Sequence, residues 1–510
     1  MKNIAVLDAY HEFHFEVLQK LNSSIGTSLS YILTGSPKNF HGDLDKILKI
    51  RSSLLSGKTS TNEITDFLYP SSIIKLKSND WLVDPFLLSK TKSLESLFLR
   101  LTDRSTTLPI AVHERRMYFL IILNYFYKLL KDKSVTHLIC FDTPHSFVSV
   151  CVYELAKLLD IKIIRLEYHY LPEYSIIVDE VEMPLIENGY LENLTKEEIL
   201  TKLPKEVQEN LTPTNSFVAS YVKAGNKEIA SYNPISNLRL YAKYSAKYST
   251  NLIQGIFPFL FKDEILHFTS LNEIHSRFKY RWSINKPLKR LLKLNLYYNK
   301  LASNPDTSVP FIYLGLHMQP EKTSLPMGGE FGNQFLMIKM ISECLPSGWK
   351  LFVKEHPNQF NMRKVANANF RSTWFYDAIN GMDNVSLVML DVPSDALIKD
   401  CKMVATITGT TGMEALTSGK PVLCFGDAYY RACKAVCNVE TIENLKAGII
   451  RLADMDTEQI EKELARYICF YLDKGYLVKT SNWETKLNLS KLDRQTQIEN
   501  LATALNKYIH

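Results

Sequence analysis

The chain has 510 residues, of which 46% are hydrophobic and 22% charged, and its formal net charge is +6 at pH 7. A chain of this length is too long to fold around one hydrophobic core, so we expect two domains with connecting helices. The mild positive charge alone does not indicate a nucleic-acid-binding protein. The longest apolar run, residues 117–130, is interrupted by Asn124 and Lys128 and is too short to span a bilayer. We interpret it as a core helix.

Strands and helices alternate in the first part of the chain. Residues 4–8 (IAVLD) are the first predicted strand, and because no apolar stretch of useful length follows, we expect no signal peptide. Further on, residues 136–141 and 162–166 are predicted strands on either side of a helix over 146–159. A strand–helix–strand unit with short connections predicts a parallel sheet.

Polar residues follow these two predicted strands where each ends. Asp142 and His145 come after the first strand, and Glu167 and His169 come after the second. Because open α/β sheets bind ligands at the carboxyl ends of their strands, these four residues are candidates for a shared functional rim. The alternative is that Asp142 caps the following helix and His145 is only a polar residue of its first turn.

The middle of the chain, from about residue 191 to 305, is rich in Tyr, Lys and Leu and shows no clear strand. We interpret it as a helical connector. Within it, residues 275–300 contain eight Lys or Arg and no acidic residue, with apolar side chains between them. Such a cationic, amphipathic stretch fits an anionic membrane surface, and the alternative is a solvated helix whose apolar face packs on the core.

Alternation resumes after the connector, which predicts a second α/β domain with a mostly helical tail from residue 457. The predicted strands of this domain are 311–316, 351–354, 385–390, 403–407 and 421–425. The predicted organisation is an N-terminal domain over 1–190, a connector over 191–305, a C-terminal domain over 306–485 and a final helix over 486–510. The fold class is therefore α/β, with two Rossmann-like domains.

A turn rich in glycine and hydroxyl groups lies between two strands of this domain, and we predict that a helix begins after it at Met413 and ends at Gly419. A helix that starts directly after a strand presents unpaired N–H groups and the positive end of its dipole, which together bind phosphate. An ordinary crossover with a capped helix is the alternative. The turn consists of Thr408, Gly409, Thr410, Thr411 and Gly412.

Other strand ends of the second domain carry further polar residues. Lys354 and His356 supply positive charge and hydrogen-bond donors for a leaving phosphate, and Glu414 can accept hydrogen bonds from ribose hydroxyls. Gln319 and Glu321 are suited to holding a sugar or to acid–base roles. His356 as a capped-turn histidine and Glu321 as a surface carboxylate are the ordinary alternatives, but positions on successive strand ends favour one shared site.

The motifs HMQPE (317–321), KEHP (354–357) and TGTTGMEALTSGKPVLCFG (408–426) resemble those of bacterial capsule and surface-polysaccharide glycosyltransferases with QP and HP motifs, which are related to Kdo transferases. FDTPH (141–145) resembles the Pro-His turn of the N-terminal domain in that family. The resemblance implies a GT-B fold, in which two Rossmann-like domains face a cleft and the C-terminal domain binds the nucleotide-sugar. It also implies that His356 and the glycine-rich turn bind the donor phosphate.

The resemblance further implies that Gln319 and Glu321 face the donor sugar and that the catalytic carboxylate lies in the N-terminal domain. Asp142 is the leading candidate and Glu167 the second, whereas His145 is suited to act as a base or an acceptor contact. We expect a cytoplasmic, metal-independent glycosyltransferase with no cofactor besides its nucleotide-sugar donor. The donor is a CMP-ulosonic acid such as CMP-Kdo, or a UDP-sugar, and the acceptor is a capsule or lipopolysaccharide glycan, free or lipid-linked.

Alternatives of other classes remain open at this point. They are a polyol-phosphate transferase or a sugar-nucleotide epimerase of similar fold, and a non-catalytic subunit of polysaccharide assembly. We expect no nucleic-acid partner and only peripheral contact with the inner membrane. The eight cysteines are scattered without the spacing of a zinc site, so we expect reduced, mostly buried thiols and no metal site.

Overall fold

The chain forms two compact units, each built around its own sheet. One unit comprises Met1–Leu211, Tyr429–Cys433 and Ala465–His510, and the other comprises Thr212–Ala428 and Lys434–Leu464. A computed structural model describes residues 2–23, 27–34, 43–55, 60–63, 83–105, 111–168, 174–178, 185–211, 238–246, 285–362, 364–477 and 493–510.

The secondary structure alternates between strands and helices in both units. The described strands are β1 Lys2–Ala9, β2 Thr27–Thr34, β3 Ser60–Glu63, β4 His137–Cys140, β5 Lys162–Tyr168, β6 Tyr174–Val178, β7 Phe311–Gly315, β8 Lys350–Lys354, β9 Val385–Val388, β10 Met403–Thr406, β11 Val422–Cys424, β12 Val436–Asn438 and β13 Gly475–Leu477. The described α-helices are α1 Glu12–Asn22, α2 Leu44–Leu55, α3 Pro85–Lys90, α4 Lys92–Ser105, α5 Val112–Asp132, α6 Phe147–Leu158, α7 Lys196–Leu200, α8 Lys205–Asn210, α9 238–246, α10 Asn285–Leu301, α11 Gln334–Cys344, α12 Thr373–Asn380, α13 Ser394–Asp400, α14 Thr410–Thr417, α15 Ile442–Ala453, α16 Thr457–Lys474 and α17 Arg494–Ile509. Short 3-10 helices cover Gly329–Gly332, Pro357–Phe360 and Val365–Phe370.

The sheet of the first unit has the strand order β13-β6-β5-β4-β1-β2-β3. Strands β1 to β5 pair in parallel, whereas β6 is antiparallel to β5 and to β13. Helices α1 and α17 contribute to the core of this unit, where Phe13 packs with Leu501 and Leu505. The chain runs from β1 outward to β2 and β3, and then returns to β4 on the other side of β1. The carboxyl ends of β1 and β4 therefore flank a topological switch point, where open sheets bind ligands.

The sheet of the second unit has the order β12-β11-β10-β7-β8-β9, and its neighbouring strands are all parallel. If β7 to β12 are numbered 1 to 6 in chain order, the strands lie in the order 3-2-1-4-5-6 from the β9 edge of the sheet. This is the strand order of dinucleotide-binding folds. The buried faces of β7, β8 and β10 carry Leu314, Leu351, Val353 and Ala405 in one core. Here the switch point lies between β7 and β10.

The predicted α/β fold class is confirmed, because each unit is built on parallel strands with flanking helices and the chain ends in a helix. The strands predicted in the first part of the chain correspond to β1, β4 and β5, and the five predicted later correspond to β7 through β11. The predictions missed β2, β3, β6, β12 and β13. Three of these are strands of only three or four residues, which are too short to show a period in the sequence.

Within the predicted connector, residues 191–305, the described segments form helices α7 to α10. The predicted boundaries at residues 190, 305 and 485 stay predictions. Helix α10 covers 285–300 of the basic stretch and buries Leu288 and Leu291, whereas Lys286, Lys289 and Lys293 are exposed. Residues 275–284 lie outside the described residues, as does His169.

Two further predictions concern burial. The apolar run of residues 117–130 lies in α5, where Phe119, Ile122 and Phe126 are buried, so it is a core helix. All eight cysteines are free, and all except the partly buried Cys344 are buried. Among the helices of the described ranges, none is long and apolar enough to cross a membrane.

Candidate functional site

A buried ion pair, Glu355–Arg371, includes the first residue of the loop that follows β8. The Nε atom of Arg371 donates to Oε2 of Glu355 at 2.6 Å and its Nη2 atom donates to Oε1 at 3.2 Å, while the two side chains are 1% and 0% exposed. The hydroxyl of Tyr376 donates to the same carboxylate at 2.7 Å. Burial, the largest single cause, lowers the pKa of Arg371, but the Glu355 carboxylate and Tyr376 together outweigh it, so that this pKa is raised.

The same ion pair connects the two motif loops that follow β7 and β8. Nη1 of Arg371 donates to Oε1 of Gln319 at 2.7 Å, and Nη2 donates to the backbone carbonyl of His317 at 3.1 Å. On the other side, the Glu355 carboxylate accepts the backbone N–H of His356 at 2.9 Å. The positions of the QP and HP loops are therefore set by one buried pair. Sequence reasoning missed Arg371 because it stands alone in its stretch of sequence, without a motif.

Gln319 holds the loop after β7 through both ends of its side-chain amide. Its Oε1 accepts from Arg371, and its Nε2 donates to the carbonyl of Gly332 at 2.8 Å. The backbone of Gln319 also exchanges two hydrogen bonds with the side chain of Gln359, at 2.7 and 3.1 Å, and its peptide bond to Pro320 is cis. The predicted contact of Gln319 with a donor sugar stays a prediction, since both amide atoms bind within the protein.

His317 joins the ends of β7 and β10 at the switch point. Its Nε2 accepts the backbone N–H of Ile407 at 3.2 Å and lies 3.0 Å from Oγ1 of Thr406, which in turn accepts the N–H of Gly409 at 3.1 Å. Burial, with smaller contributions from His356 and Arg371, lowers the pKa of His317 to about 3, so the ring is neutral. A Cβ atom at position 409 would lie 3.2 Å from Cε1 of His317, and this close approach favours glycine.

Helix α14 begins at Thr410, three residues before the predicted start at Met413. Thr410, Thr411 and Gly412 therefore form its first turn rather than a loop. The helix extends further because Gly409, its N-cap residue, has an extended backbone and its N–H is already satisfied by Thr406. This N-cap provides no side-chain hydrogen bond to the helix, so the helix start presents N–H groups suited to a phosphate.

Thr408 and Thr410 do not cap this helix through the hydrogen bonds that the structure gives for their side chains. Thr408 donates from Oγ1 to the carbonyl of Thr323 at 2.9 Å, which holds the turn against the loop after β7. Thr410 donates from Oγ1 to Oε1 of Glu414 at 3.5 Å, one turn further along the helix. Neither hydroxyl accepts a backbone N–H of the first turn in these bonds.

Glu321 and His356 lie near the loop contacts just described. Oε2 of Glu321 accepts from the Thr323 hydroxyl at 3.0 Å. Nδ1 of His356 accepts the backbone N–H of Asn358 at 3.1 Å, which places the proton of the neutral ring on Nε2, and this nitrogen has no hydrogen-bond partner within the described part of the chain. Burial lowers the pKa of His356, although the carboxylates of Glu321 and Glu355 oppose the shift. The ring can thus donate a hydrogen bond to a ligand.

Lys354 and Glu414 lie around the first turn of α13. Nζ of Lys354 donates to Oγ of Ser394 at 3.1 Å and to the carbonyl of Val392. Burial lowers the pKa of Lys354 to about 8, although the carboxylates of Asp391 and Asp395 oppose this shift. Burial raises the pKa of Glu414, and the nearby Asp395 raises it further. Both side chains therefore interact with α13, whereas His356 and Glu321 interact with the loop after β7.

In the first unit, Thr143 brings together the three residues predicted to be catalytic there. Its hydroxyl donates to Oε2 of Glu167 at 2.8 Å, its N–H donates to Oδ1 of Asp142 at 2.8 Å, and its carbonyl lies 3.0 Å from Nδ1 of His145. Oδ2 of Asp142 is 3.9 Å from the same nitrogen of His145. Asp142 does not cap α6, because that position belongs to Ser146. The structure thus favours a shared rim over the capping alternative.

A segment of the chain, most of which lies in the second unit, matches a known protein family. Residues 322–435 match the family model described as capsule polysaccharide biosynthesis protein. This segment contains KEHP (354–357) and the glycine-rich turn, and it begins directly after HMQPE (317–321). The resemblance stated from the motifs is therefore confirmed over this segment. No curated protein matches the sequence.

Several solved structures resemble the chain at low identity. They include UDP-GlcNAc 2-epimerase from Methanocaldococcus jannaschii (11% identity, 92% of this chain and 100% of that chain covered, TM-score 0.23) and the β-Kdo 2,7 transferase of Thermosulfurimonas dismutans KpsC (10%, 83% and 97%, 0.27). A glycosyltransferase from Rickettsia africae is similar at 12% identity, with 99% and 98% covered and a TM-score of 0.23. Similarities this distant do not indicate an activity. Within the described ranges, no group of three or more His, Cys, Asp or Glu residues is arranged to hold a metal ion.

We expect Arg371→Met to lower the free energy of unfolding by about 3–5 kcal/mol, because it leaves the Glu355 carboxylate buried without a counter-charge. Urea denaturation measures this loss. In the matched double variant Glu355→Gln/Arg371→Met, the uncompensated charge is absent, and the loss should be smaller than in the single variant. A single variant within 1 kcal/mol of the wild type, about the worth of an exposed pair, would contradict the buried pair.

A second prediction follows from His317, which is neutral in the folded protein but protonated in the unfolded chain below its usual pKa of 6.5. Since the unfolded state then binds more protons, lowering the pH should destabilise the protein by up to about 1.4 kcal/mol per pH unit. His317→Gln removes this contribution. The difference in free energy of unfolding between wild type and variant should narrow between pH 7 and pH 5, and a constant difference would show that His317 is not buried as a neutral ring.

Proposed function

We propose that the protein is a glycosyltransferase of bacterial capsule or lipopolysaccharide biosynthesis, which binds a nucleotide-sugar at the carboxyl ends of β7, β8 and β10. The observation that carries this proposal is the arrangement around the second switch point. There the Glu355–Arg371 pair and His317 hold His356 and the start of α14 at the same edge of the sheet. The match of residues 322–435 to a capsule polysaccharide biosynthesis family supports it.

The donor phosphate is bound by the first turn of α14 and by Nε2 of His356. Helix N–H groups and a neutral imidazole donor stabilise the negative charge that grows on the phosphate as the glycosidic bond breaks. The positive charge of Lys354 strengthens this stabilisation, and Glu414 accepts hydrogen bonds from the ribose. Glu321 and Gln319 contact the sugar. In this mechanism, neither a metal nor a cofactor other than the donor takes part.

The acceptor hydroxyl is activated by the rim of the first unit. His145 is suited to the role of base because Thr143 accepts the hydrogen on its Nδ1, which leaves Nε2 as the basic nitrogen. The carboxylate of Asp142, 3.9 Å from Nδ1, stabilises the imidazolium when it forms, and Glu167 is held beside them through Thr143.

The identity of the two substrates is the finer part of the proposal. The donor is a CMP-ulosonic acid such as CMP-Kdo, or a UDP-sugar, and the acceptor is a surface glycan, free or lipid-linked. The protein acts in the cytoplasm, where the exposed Lys286, Lys289 and Lys293 of α10 contact the anionic surface of the inner membrane. Such attraction is strongest at low salt.

His356→Ala should abolish nucleotide binding, because it removes a donor to the phosphate. The measurement is a thermal-shift screen with CMP, CDP, UDP, GDP and their common sugar conjugates, in which a hundredfold excess over Kd stabilises a binding protein by about 2.7 kcal/mol. His113→Ala, at an exposed position of α5, is the matched control and should keep the full shift.

The outcome of the screen also separates the alternatives. A preference for CMP supports an ulosonic-acid transferase, and a preference for UDP supports a hexose transferase or an epimerase. An epimerase would convert its nucleotide-sugar without any acceptor. Failure of every nucleotide to stabilise the wild-type protein, or an undiminished shift in His356→Ala, would contradict the proposed donor site.

Asp142→Ala and His145→Ala should keep the nucleotide-induced shift and lower the rate of transfer by about 10²–10⁴-fold, the usual contribution of a general acid or base. The reason is that these residues activate the acceptor and do not touch the donor phosphate. Radiolabelled sugar incorporated into the acceptor glycan measures the rate. Full transfer by both variants would show that the rim of the first unit is not catalytic.

A further inference from the structure

The hydroxyl group of Ser394, directly after the loop that follows β9, accepts two hydrogen bonds. Nζ of Lys354 donates to its Oγ at 3.1 Å, and the hydroxyl of Tyr313 donates to the same oxygen at 3.1 Å. Burial raises the pKa of Tyr313, so its hydroxyl is neutral and keeps its hydrogen. A serine oxygen has two lone pairs and one hydrogen, and in Ser394 both lone pairs are therefore occupied.

The hydrogen of this hydroxyl group is left for another acceptor. Among the residues that the structure describes, no atom accepts it. It does not cap a helix, because the N-cap residue of α13 is Pro393. The Ser394 side chain is half-buried, so a ligand can reach its hydroxyl group. Ser394 therefore presents one hydrogen-bond donor of defined direction, the kind of group that fixes the orientation of a ligand in a pocket.

Strand β7 brings the Tyr313 hydroxyl to the carboxyl edge of the sheet. Gly315 lies two residues further along the strand on the same face and has no side chain, so the Tyr313 ring can lean over it. A Cβ atom at Gly315 would lie 3.4 Å from the Tyr313 hydroxyl oxygen and 3.9 Å from Oγ1 of Thr411. Thr411 belongs to the first turn of α14. Ser394, which is bonded to Tyr313, is therefore close to the start of α14.

Lys354 fixes the loop after β9 beside this position. It is the last residue of β8 and lies opposite Val388, the last residue of β9, so the two strands end at the same edge of the sheet. Its ammonium group also donates to the carbonyl of Val392 in that loop. The Ser394 hydroxyl is thus held by two donors, Lys354 and Tyr313, and its own hydrogen is directed away from both.

The charges around Ser394 indicate which part of a nucleotide it contacts. Asp391 and Asp395 are close to it in sequence and both are exposed, so a further negative charge directly at this hydroxyl is disfavoured. An uncharged oxygen atom is not disfavoured in this way. In the proposed donor site, the first turn of α14 binds the phosphate and Glu414 binds the ribose, which leaves the base for Ser394.

We propose that Ser394 is a specificity-determining residue, whose hydroxyl donates a hydrogen bond to the C2 carbonyl oxygen of a pyrimidine base in the nucleotide-sugar. This inference rests on the proposed function, in which the donor is a CMP- or UDP-activated sugar. Cytosine and uracil both carry a carbonyl oxygen at C2, whereas adenine has no carbonyl group. One hydroxyl therefore accommodates both pyrimidines, and a site built to hydrogen-bond a ligand group rejects analogues that lack it.

The experiment measures the affinity of the full-length protein for CMP and UMP by isothermal titration calorimetry and compares each nucleotide with its 2-thio analogue. Sulfur in place of the C2 oxygen is a weak hydrogen-bond acceptor, and the rest of the nucleotide is unchanged. We expect the wild type to bind the oxygen form about tenfold more tightly, the effect of one lost hydrogen bond. In Ser394→Ala, this difference should disappear, because no hydroxyl is left to distinguish the two forms.

Further variants separate recognition of the base from support of the loop. Ser394→Thr keeps a hydroxyl group and should keep the preference for the oxygen form. Tyr313→Phe removes one donor to Ser394 but not the Ser394 hydroxyl, so it should weaken CMP binding less than Ser394→Ala does. Ser347→Ala, at an exposed position before β8 and thus at the amino edge of the sheet, should bind like the wild type. Ser394→Cys, with its weak S–H donor, provides a second variant should Ser394→Ala not fold.

Two results would overturn this inference alone and leave the proposed donor site intact. One is a wild type that binds CMP or UMP but does not distinguish the oxygen form from the sulfur form, or a preference that persists in Ser394→Ala. The other is an equal loss of affinity in Tyr313→Phe and Ser394→Ala, because the effect would then come from the loop. If the wild type binds neither CMP nor UMP, both this inference and the proposed donor site fail.

Discussion

The buried salt bridge between Glu355 and Arg371 positions most of the second unit's candidate site. Removing two charges from water is costly, and a buried pair is stable only when its other polar atoms also form hydrogen bonds. The Glu355 carboxylate accepts hydrogen bonds from Tyr376 and from the N–H of His356. The Arg371 guanidinium donates hydrogen bonds to Gln319 and to the carbonyl of His317. A pair with so many fixed partners does not tolerate small shifts. The two loops that it connects are therefore preorganised, as the proposed stabilisation of a leaving phosphate requires.

Both units place their distinctive residues at the same topological position. In the second unit, the loops after β7 and β10 flank the switch point, and a neutral, buried His317 joins them. In the first unit, the ends of β1 and β4 flank the switch point. Asp8 lies near the end of β1, and Asp142 and His145 follow β4. The two sites differ in chemistry, since the first contains carboxyl groups and an imidazole, and the second contains N–H donors with a buried lysine. This difference is the one that the proposed function requires, in which the first site activates an acceptor hydroxyl and the second binds a donor phosphate.

The sequence was informative where function depends on a position along the chain. Buried strands appear as apolar runs, so the polar residues that follow them, such as His145, His356 and the glycine-rich turn, could be assigned to strand ends. The sequence did not reveal residues whose role depends on contacts between distant parts of the chain. Arg371 pairs with a residue 16 positions away, and Tyr313 donates to Ser394 over a separation of 81. The early start of α14 likewise depends on Thr406, which is itself bonded to His317.

Hydrogen–deuterium exchange of the full-length protein, with and without the nucleotide that stabilises it most, tests the central claim most directly. The account predicts that the nucleotide slows exchange at backbone amides of residues 317–321, 356–359 and 409–412, because these loops share one preorganised site. Protection of the three segments should disappear together in Arg371→Met at a nucleotide concentration that saturates the wild type. Protection confined to other segments, or unchanged in the variant, would contradict the account.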